Sequence, residues 1–287
     1  MPLDYDMLMA LPPRVGHFSY TKRDTILYAL GLGIGQQAVD NEAYLRFLYE
    51  EDLVPAPTYP VMLGYPGFWQ REPQYKLDWR KILHAEQVLD VHKPIPPEGR
   101  IRAELVIDSI FDKGAEKGAL LYARRNVFDE ATGEKIVTVV QGMMLRGNGG
   151  FGGRRDGAPI PRETPKRAPD FTRVIPTRPE QALIYRLSGD YNPLHAVPSV
   201  AASAGFPKPI LHGLATYGIA GFAAMDVLCP GGGFLKRLDC RFSSPVFPGE
   251  TLSVAVWREG AGKASLEVRV QERDIVVLKN GYLEYDA

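Results

Sequence analysis

The same order of local signals is written twice along this chain, once on each side of a segment nearly devoid of aliphatic residues. That segment, residues 146–170 (RGNGGFGGRRDGAPIPRETPKRAPD), clusters Gly, Arg and Pro, a composition suited to a flexible linker rather than a packed element. Before it, a capping-box-like start at residues 21–24 leads into ILYALG; after it, residues 177–180 lead into ALIYRLSG,. HKPIPPEGRIRAELVI (92–107) and SSPVFPGETLSVAVW (243–257) each read as a Pro-rich turn, a Gly and an alternating strand,. Each copy closes on a strand hairpin, at 119–145 around the turn EATGE and at 264–285 around a turn near 272–274,. A duplication of this kind narrows the architectures sharply, because both copies must satisfy one plan: a helix followed by several antiparallel strands, an α+β layer arrangement. The chain of 287 residues is about twice a domain of ~100–150 residues, and we divide it into 1–145, a linker 146–170, and 171–287.

The copies are unequal. Residues 214–228, LATYGIAGFAAMDVL, are apolar almost all round, which predicts a helix buried on every face, with glycines and alanines that allow close approach. CPGGG then stops it,. In the first copy LHAEQVLDVHKP (83–94) echoes a His-small pair but is acidic where that helix would follow. It reads as a degenerate copy in which Glu86 satisfies an edge backbone group or orients a ligand. The buried helix is shorter than the ~20 residues that span a bilayer, so no membrane partner is expected. Lys+Arg and Asp+Glu are 34 each, giving zero net charge, and no basic stripe points to nucleic acid. Two cysteines, Cys229 and Cys240, no N-x-S/T acceptor, no signal-peptide pattern and no SKL-type end predict a reducing, cytoplasmic location.

Polar groups concentrate in LSGDYNPLHAVPSVAASAGFPKPILHG (187–213). Asp190 and His195 would point about 140° apart on a continuous helix. The intervening Asn192-Pro193 breaks the helix, since the residue before Pro is pushed to extended backbone. A bend there can bring carboxylate and imidazole to one water, which suits general acid–base chemistry; the alternative is a loop Asp capping the next helix above a packed His. His212-Gly213 opens the buried helix, where free N–H groups and the positive dipole end could hold an oxyanion, or where Gly merely permits tight packing. No CxxC or HxxxH cluster suggests a metal, and no GxSxG elbow suggests a nucleophile,.

YRLSGDYNPLHAVPSVAASAGFPKPILHGLATYGIAG resembles the hydratase motif of the MaoC-like, hydratase 2 family of (R)-specific 2-enoyl-CoA hydratases. FSYTKRDTILYALGLG, ILHAEQVLDVHKPIP and RFSSPVFPGETL extend the resemblance over nearly the whole chain. It implies a double hot-dog fold, two repeats each with an antiparallel sheet wrapped around a helix, with chemistry kept only in the second. It implies Asp190 and His195 as the acid–base pair, Asn192 shaping the bend, and Gly213 donating its N–H to the thioester carbonyl. Substrate contacts are implied for His84, Ala85, Lys113, Tyr191, Pro193, Leu194, His212 and Phe242. It further implies an acyl-CoA thioester substrate, no metal or redox cofactor beyond the coenzyme A of the substrate, and a homodimer. The chain departs from the family at Val197, where an Asp is usual and a helix start should weaken, and at Ala85, where a Gly is usual. A hot-dog acyl-CoA thioesterase and a non-catalytic acyl-CoA-binding subunit are the competing functions.

Overall fold

In a computed structural model, residues 3–287 are described. Ten strands, β1 (Arg14–Tyr20), β2 (Ile82–Val91), β3 (Gly99–Asp112), β4 (Ala119–Asp129), β5 (Lys135–Leu145), β6 (Phe171–Pro176), β7 (Phe234–Phe242), β8 (Thr251–Arg258), β9 (Lys263–Val270) and β10 (Ile275–Asp286), join in one antiparallel sheet. The strand order is β1-β3-β4-β5-β2-β7-β10-β9-β8-β6. Read outward from the β2–β7 joint, the two halves have identical connectivity. The joint runs from Glu86 opposite Arg241 to Asp90 opposite Arg237 and centres on Val88 opposite Asp239, so a pseudo-two-fold axis passes there. The strands form because apolar side chains fall at every second position; in β8, Leu252, Val254 and Val256 are wholly buried while their neighbours are not.

The helices are α1 (Tyr5–Met9), α2 (Lys22–Gly31), α3 (Ile34–Ala38), α4 (Gln181–Tyr185), α5 (Pro198–Ser203) and α6 (Gly213–Leu228). The last is the helix that the apolar composition predicts, buried from Leu214 through Met225 and again at Leu228. On its sheet side the Tyr217 hydroxyl donates to the Leu238 carbonyl of β7 at 2.8 Å. On its other side lies the first half: the Tyr28 hydroxyl of α2 donates to Thr58 at 3.0 Å. A Cβ at Gly221 would stand 2.5 Å from Thr58 Cγ2 and 2.6 Å from Leu238 Cδ2, so the helix fits this gap through its missing side chain. Among its described residues the first half has no counterpart. Its residues between α3 and β2 form short 3-10 turns at Glu42–Phe47, Tyr59–Met62, Trp69–Arg71, Pro73–Tyr75 and Trp79–Lys81.

Two local expectations change in the folded chain. Asp24 accepts from the Thr21 N–H at 2.8 Å and caps α2, but no capping box forms at 177–180. The Thr177 hydroxyl instead donates to Glu250 O at 2.7 Å and accepts from Gly249 N at 2.9 Å, because the turn before β8 offers it backbone partners. Residues 146–170 contain no helix or strand, yet they are tied down rather than loose. The Asp112 carboxylate accepts from the N–H groups of Gly150 and Gly152, each at 2.8 Å. Trp257 Nε1 donates to Arg167 O at 2.8 Å, and the Arg162 guanidinium lies 3.5 Å above the Tyr282 ring. Among the described residues no helix is long and apolar enough to cross a membrane.

Candidate active site

After α4 the chain turns through Gly189, whose φ of 120° is a backbone state that side chains resist. Asn192 is extended before Pro193, and its Oδ1 accepts from Leu194 N at 3.1 Å, capping a 3-10 turn over Pro193–His195. The Asp190 carboxylate accepts from Asn192 N at 3.3 Å. This bend reverses the divergence a helix would impose. Polar side-chain atoms of Asp190, His195 and His212 all lie within 4.8 Å of one another.

His195 Nδ1 is 2.9 Å from the Ile210 carbonyl. A carbonyl only accepts, so Nδ1 carries the proton and Nε2 keeps a lone pair for the cavity. Burial pushes the His195 pKa below its ordinary value against the pull of Asp190, which keeps the ring neutral near pH 7. His212 is completely buried; by the same reasoning its Nε2 donates to the Asp190 carbonyl, 3.1 Å away, and its Nδ1 has no partner. Burial first, and the His195 ring second, push the His212 pKa down to about 2. The hydroxyl of Tyr65 faces Asp190, and burial followed by that carboxylate holds it well above its ordinary pKa.

Gly213 is the first residue of α6, where an N–H has no intrahelical acceptor. A Cβ there would be 3.1 Å from Phe242 Cε1, so the absence of a side chain lets the ring close over the helix start. Asp190, Asn192, Leu194 and His195 line a cavity of about 550 Å³ together with Gly213, Phe242 and His84. The His84 and Phe242 rings are 4.6 Å apart between centroids, and burial pushes the His84 pKa down to about 4.

Five further expected residues stand elsewhere. Ala85 is the extra residue of a bulge in β2, where His84 faces Met143 and Glu86 faces Gly142; it redirects the strand without forming the cavity wall. Lys113 Nζ donates to Arg155 O at 3.0 Å beside the Phe111 ring, away from the cavity. Tyr191 is 58% exposed, under the Arg186 guanidinium. Pro193 serves through its backbone, and His212 lies beneath the cavity wall. Glu86 does not line the cavity: it pairs with Arg241 at 2.5 Å and accepts from the Tyr122 hydroxyl. Conversely, Tyr65, Gln70, Met143 and Arg146 line the cavity unforeseen, because the first half brings them in by tertiary folding and no local pattern marks them.

The pseudo-two-fold axis carries His84 to Leu235 and Phe242 to Val91. Leu235 and Val91 line a second cavity, about 380 Å³, near the other end of α6 with Arg46, Phe222 and Asp226; its wall holds no histidine. Of these two cavities, only the first is lined by an Asp–His pair.

A duplicated hot-dog sheet with one Asp–His pair in a cavity beside a helix start defines a double hot-dog protein. Residues 18–147 match the MFE-2 hydratase 2 N-terminal domain family, and residues 161–280 the MaoC like domain family. The chain is 41% identical to 3-hydroxyacyl-thioester dehydratase Y of Mycobacterium tuberculosis over 94% of each chain. It is 36% identical to a peroxisomal enoyl-CoA hydratase 2 of Arabidopsis thaliana, over 97% of this chain and 94% of that one. The crystal structure of a MaoC-like dehydratase from Phytophthora capsici superposes with a TM-score of 0.86 at 34% identity, covering 99% of this chain and 100% of that one. The chain belongs to the MaoC-like, hydratase 2 family.

Proposed function

We propose that this protein hydrates trans-2-enoyl-CoA reversibly to (R)-3-hydroxyacyl-CoA. The convergence of Asp190 and His195 within 4.8 Å, in a cavity that also contains the start of α6, carries the reading. The thioester carbonyl accepts from the Gly213 N–H, where the helix dipole favours the charge that develops on oxygen. This draws electrons from C3. A water held between the Asp190 carboxylate and His195 Nε2 bonds C3 through its oxygen as the pair takes its proton, and the pair delivers a proton to C2. One water is added and nothing is oxidised or reduced. Protons come and go from the pair as a unit. His84 and Phe242 flank the reacting carbons, and Lys113 can meet a coenzyme A phosphate only outside the cavity, on the surface beside Phe111.

The reaction as written needs no metal or redox cofactor, and hydration undiminished after exhaustive dialysis against a chelator supports that part. A homodimer and a cytoplasmic location complete the reading; light scattering on the purified chain and localisation of the tagged protein test them. The principal test incubates the protein with crotonyl-CoA and a longer enoyl-CoA while following conjugated-thioester absorbance and free thiol together. Hydration removes absorbance without thiol. Thiol release would make the protein a thioesterase, and no change in either would leave it a binder; each result sinks the hydratase reading.

A further inference from the structure

The proposed chemistry gives the acyl chain a direction. With the carbonyl at Gly213 and C3 at Asp190 and His195, carbons beyond C3 that run past Asp190 come to the residue whose hydroxyl faces that carboxylate. That residue is Tyr65. It lines the catalytic cavity and also a separate cavity of about 200 Å³ walled mainly by the first half and closed by residues 187–189 of the second, and no other described residue lines both. Leu27 of α2, Ile101 of β3 and Met62 wall the smaller cavity, and Phe18 and Leu187, 39% and 47% exposed, stand at its outer side.

Tyr65 is fixed in place. Gly189 sits against it, a Cβ there being 3.8 Å from Tyr65 Cδ1. Behind it is Arg125, buried and without a carboxylate partner among the described residues, whose guanidinium lies 5.9 Å from the Tyr65 ring centre and donates to Val61 O at 2.5 Å. That bond holds the segment carrying Tyr65 against β4.

We propose that Tyr65 is the specificity-determining wall that ends the acyl channel, so that this protein prefers enoyl chains stopping short of the 200 Å³ cavity, and that removing the ring joins the two cavities. The proposal rests on the hydratase reading above. Its test measures kcat/KM for a series of trans-2-enoyl-CoAs from four to sixteen carbons, expressed as a ratio to crotonyl-CoA, which cancels any general loss from disturbing Asp190. Tyr65→Ala should raise the ratio for the longer chains at least about tenfold, the effect of burying two more methylenes. Adding Leu27→Trp should fill the opened space and return the ratio towards that of the parent, whereas Tyr65→Phe, which keeps the ring, should leave the profile unchanged. A ratio within twofold of the parent in a Tyr65→Ala protein that still hydrates crotonyl-CoA overturns the proposal. Should Tyr65→Ala fail to fold, Tyr65→Trp, which lengthens the wall, must shorten the longest chain accepted; an unshifted profile overturns the proposal equally. A parent protein that hydrates no enoyl-CoA refutes the hydratase reading instead.

Discussion

The imidazole rings of His195 and His212 stack with centroids 3.8 Å apart and planes 28° from parallel. One ring faces the cavity; the other anchors the Asp190 backbone through its Nε2. In the proposed reaction His212 would position Asp190. His212→Phe keeps the stacked ring and loses the bond to the Asp190 carbonyl. We expect kcat for enoyl-CoA hydration to fall about tenfold, the rate equivalent of a lost hydrogen bond of ~1.4 kcal/mol, with KM little changed. A KM effect with unaltered kcat would count against this role.

Asp190→Asn removes the carboxylate proposed to share a water with His195 while keeping its shape. Hydration of crotonyl-CoA should fall about 10²–10⁴-fold, with the circular dichroism spectrum unchanged. Undiminished hydration would remove Asp190 from the mechanism.

The lowered pKa of His195 leaves its ring neutral above the ordinary value of 6.5, so kcat/KM should persist below pH 6.5 and decline only as acid protonates the ring. Stability follows the same sign. His84 and His212 have folded pKa values of about 4 and about 2, so between those values and 6.5 the unfolded chain binds protons that the folded chain refuses. Stability should be fully present above pH 6.5 and fall on acidification, by up to about 1.4 kcal/mol per pH unit for each such histidine. Urea denaturation at pH 7.5, 6 and 5 measures it; a flat profile would contradict the buried neutral state.

Gly213→Ala places a methyl 3.1 Å from Phe242 Cε1 beside the proposed carbonyl donor. kcat/KM should drop about tenfold to a hundredfold, the scale of a small misplacement at a reacting centre. Phe242→Leu should restore part of it in the double variant. Lack of any restoration would show that the ring is not what the methyl strikes.

Val197 is the N-cap of α5, and no side chain accepts the helix's first N–H groups there. Val197→Asp should stabilise the protein by about 0.5–2 kcal/mol without changing kcat, read from the midpoint of thermal or urea unfolding. A loss of stability would mean that the half-exposed valine contributes more by packing than a cap would.

Much of the plan is local and could be read from order alone. The alternation in 251–258 and 119–145 makes strands, the apolar run at 214–228 makes a buried helix, and Asn192-Pro193 makes the bend that joins Asp190 to His195. These follow from backbone sterics and the burial of apolar faces, which act over a few residues. Thr177 escaped such reading because a hydroxyl takes whichever backbone partner tertiary folding brings near, here Glu250 and Gly249. Lys113 did too, since its spacing says nothing about the face of the sheet it ends on.

What the amino-acid order determined by itself was the duplication, the unequal fates of its halves, and the bend that brings Asp190 and His195 together. Only the tertiary structure decided that Tyr65 and Met143 of the first half wall the second half's cavity, that His212 stacks under His195, and that the Gly-rich segment is pinned by Asp112. Those contacts join residues separated in sequence, the first of them across the two halves. Their energies depend on distances that exist only once the chain has closed, and no periodicity along the chain encodes them.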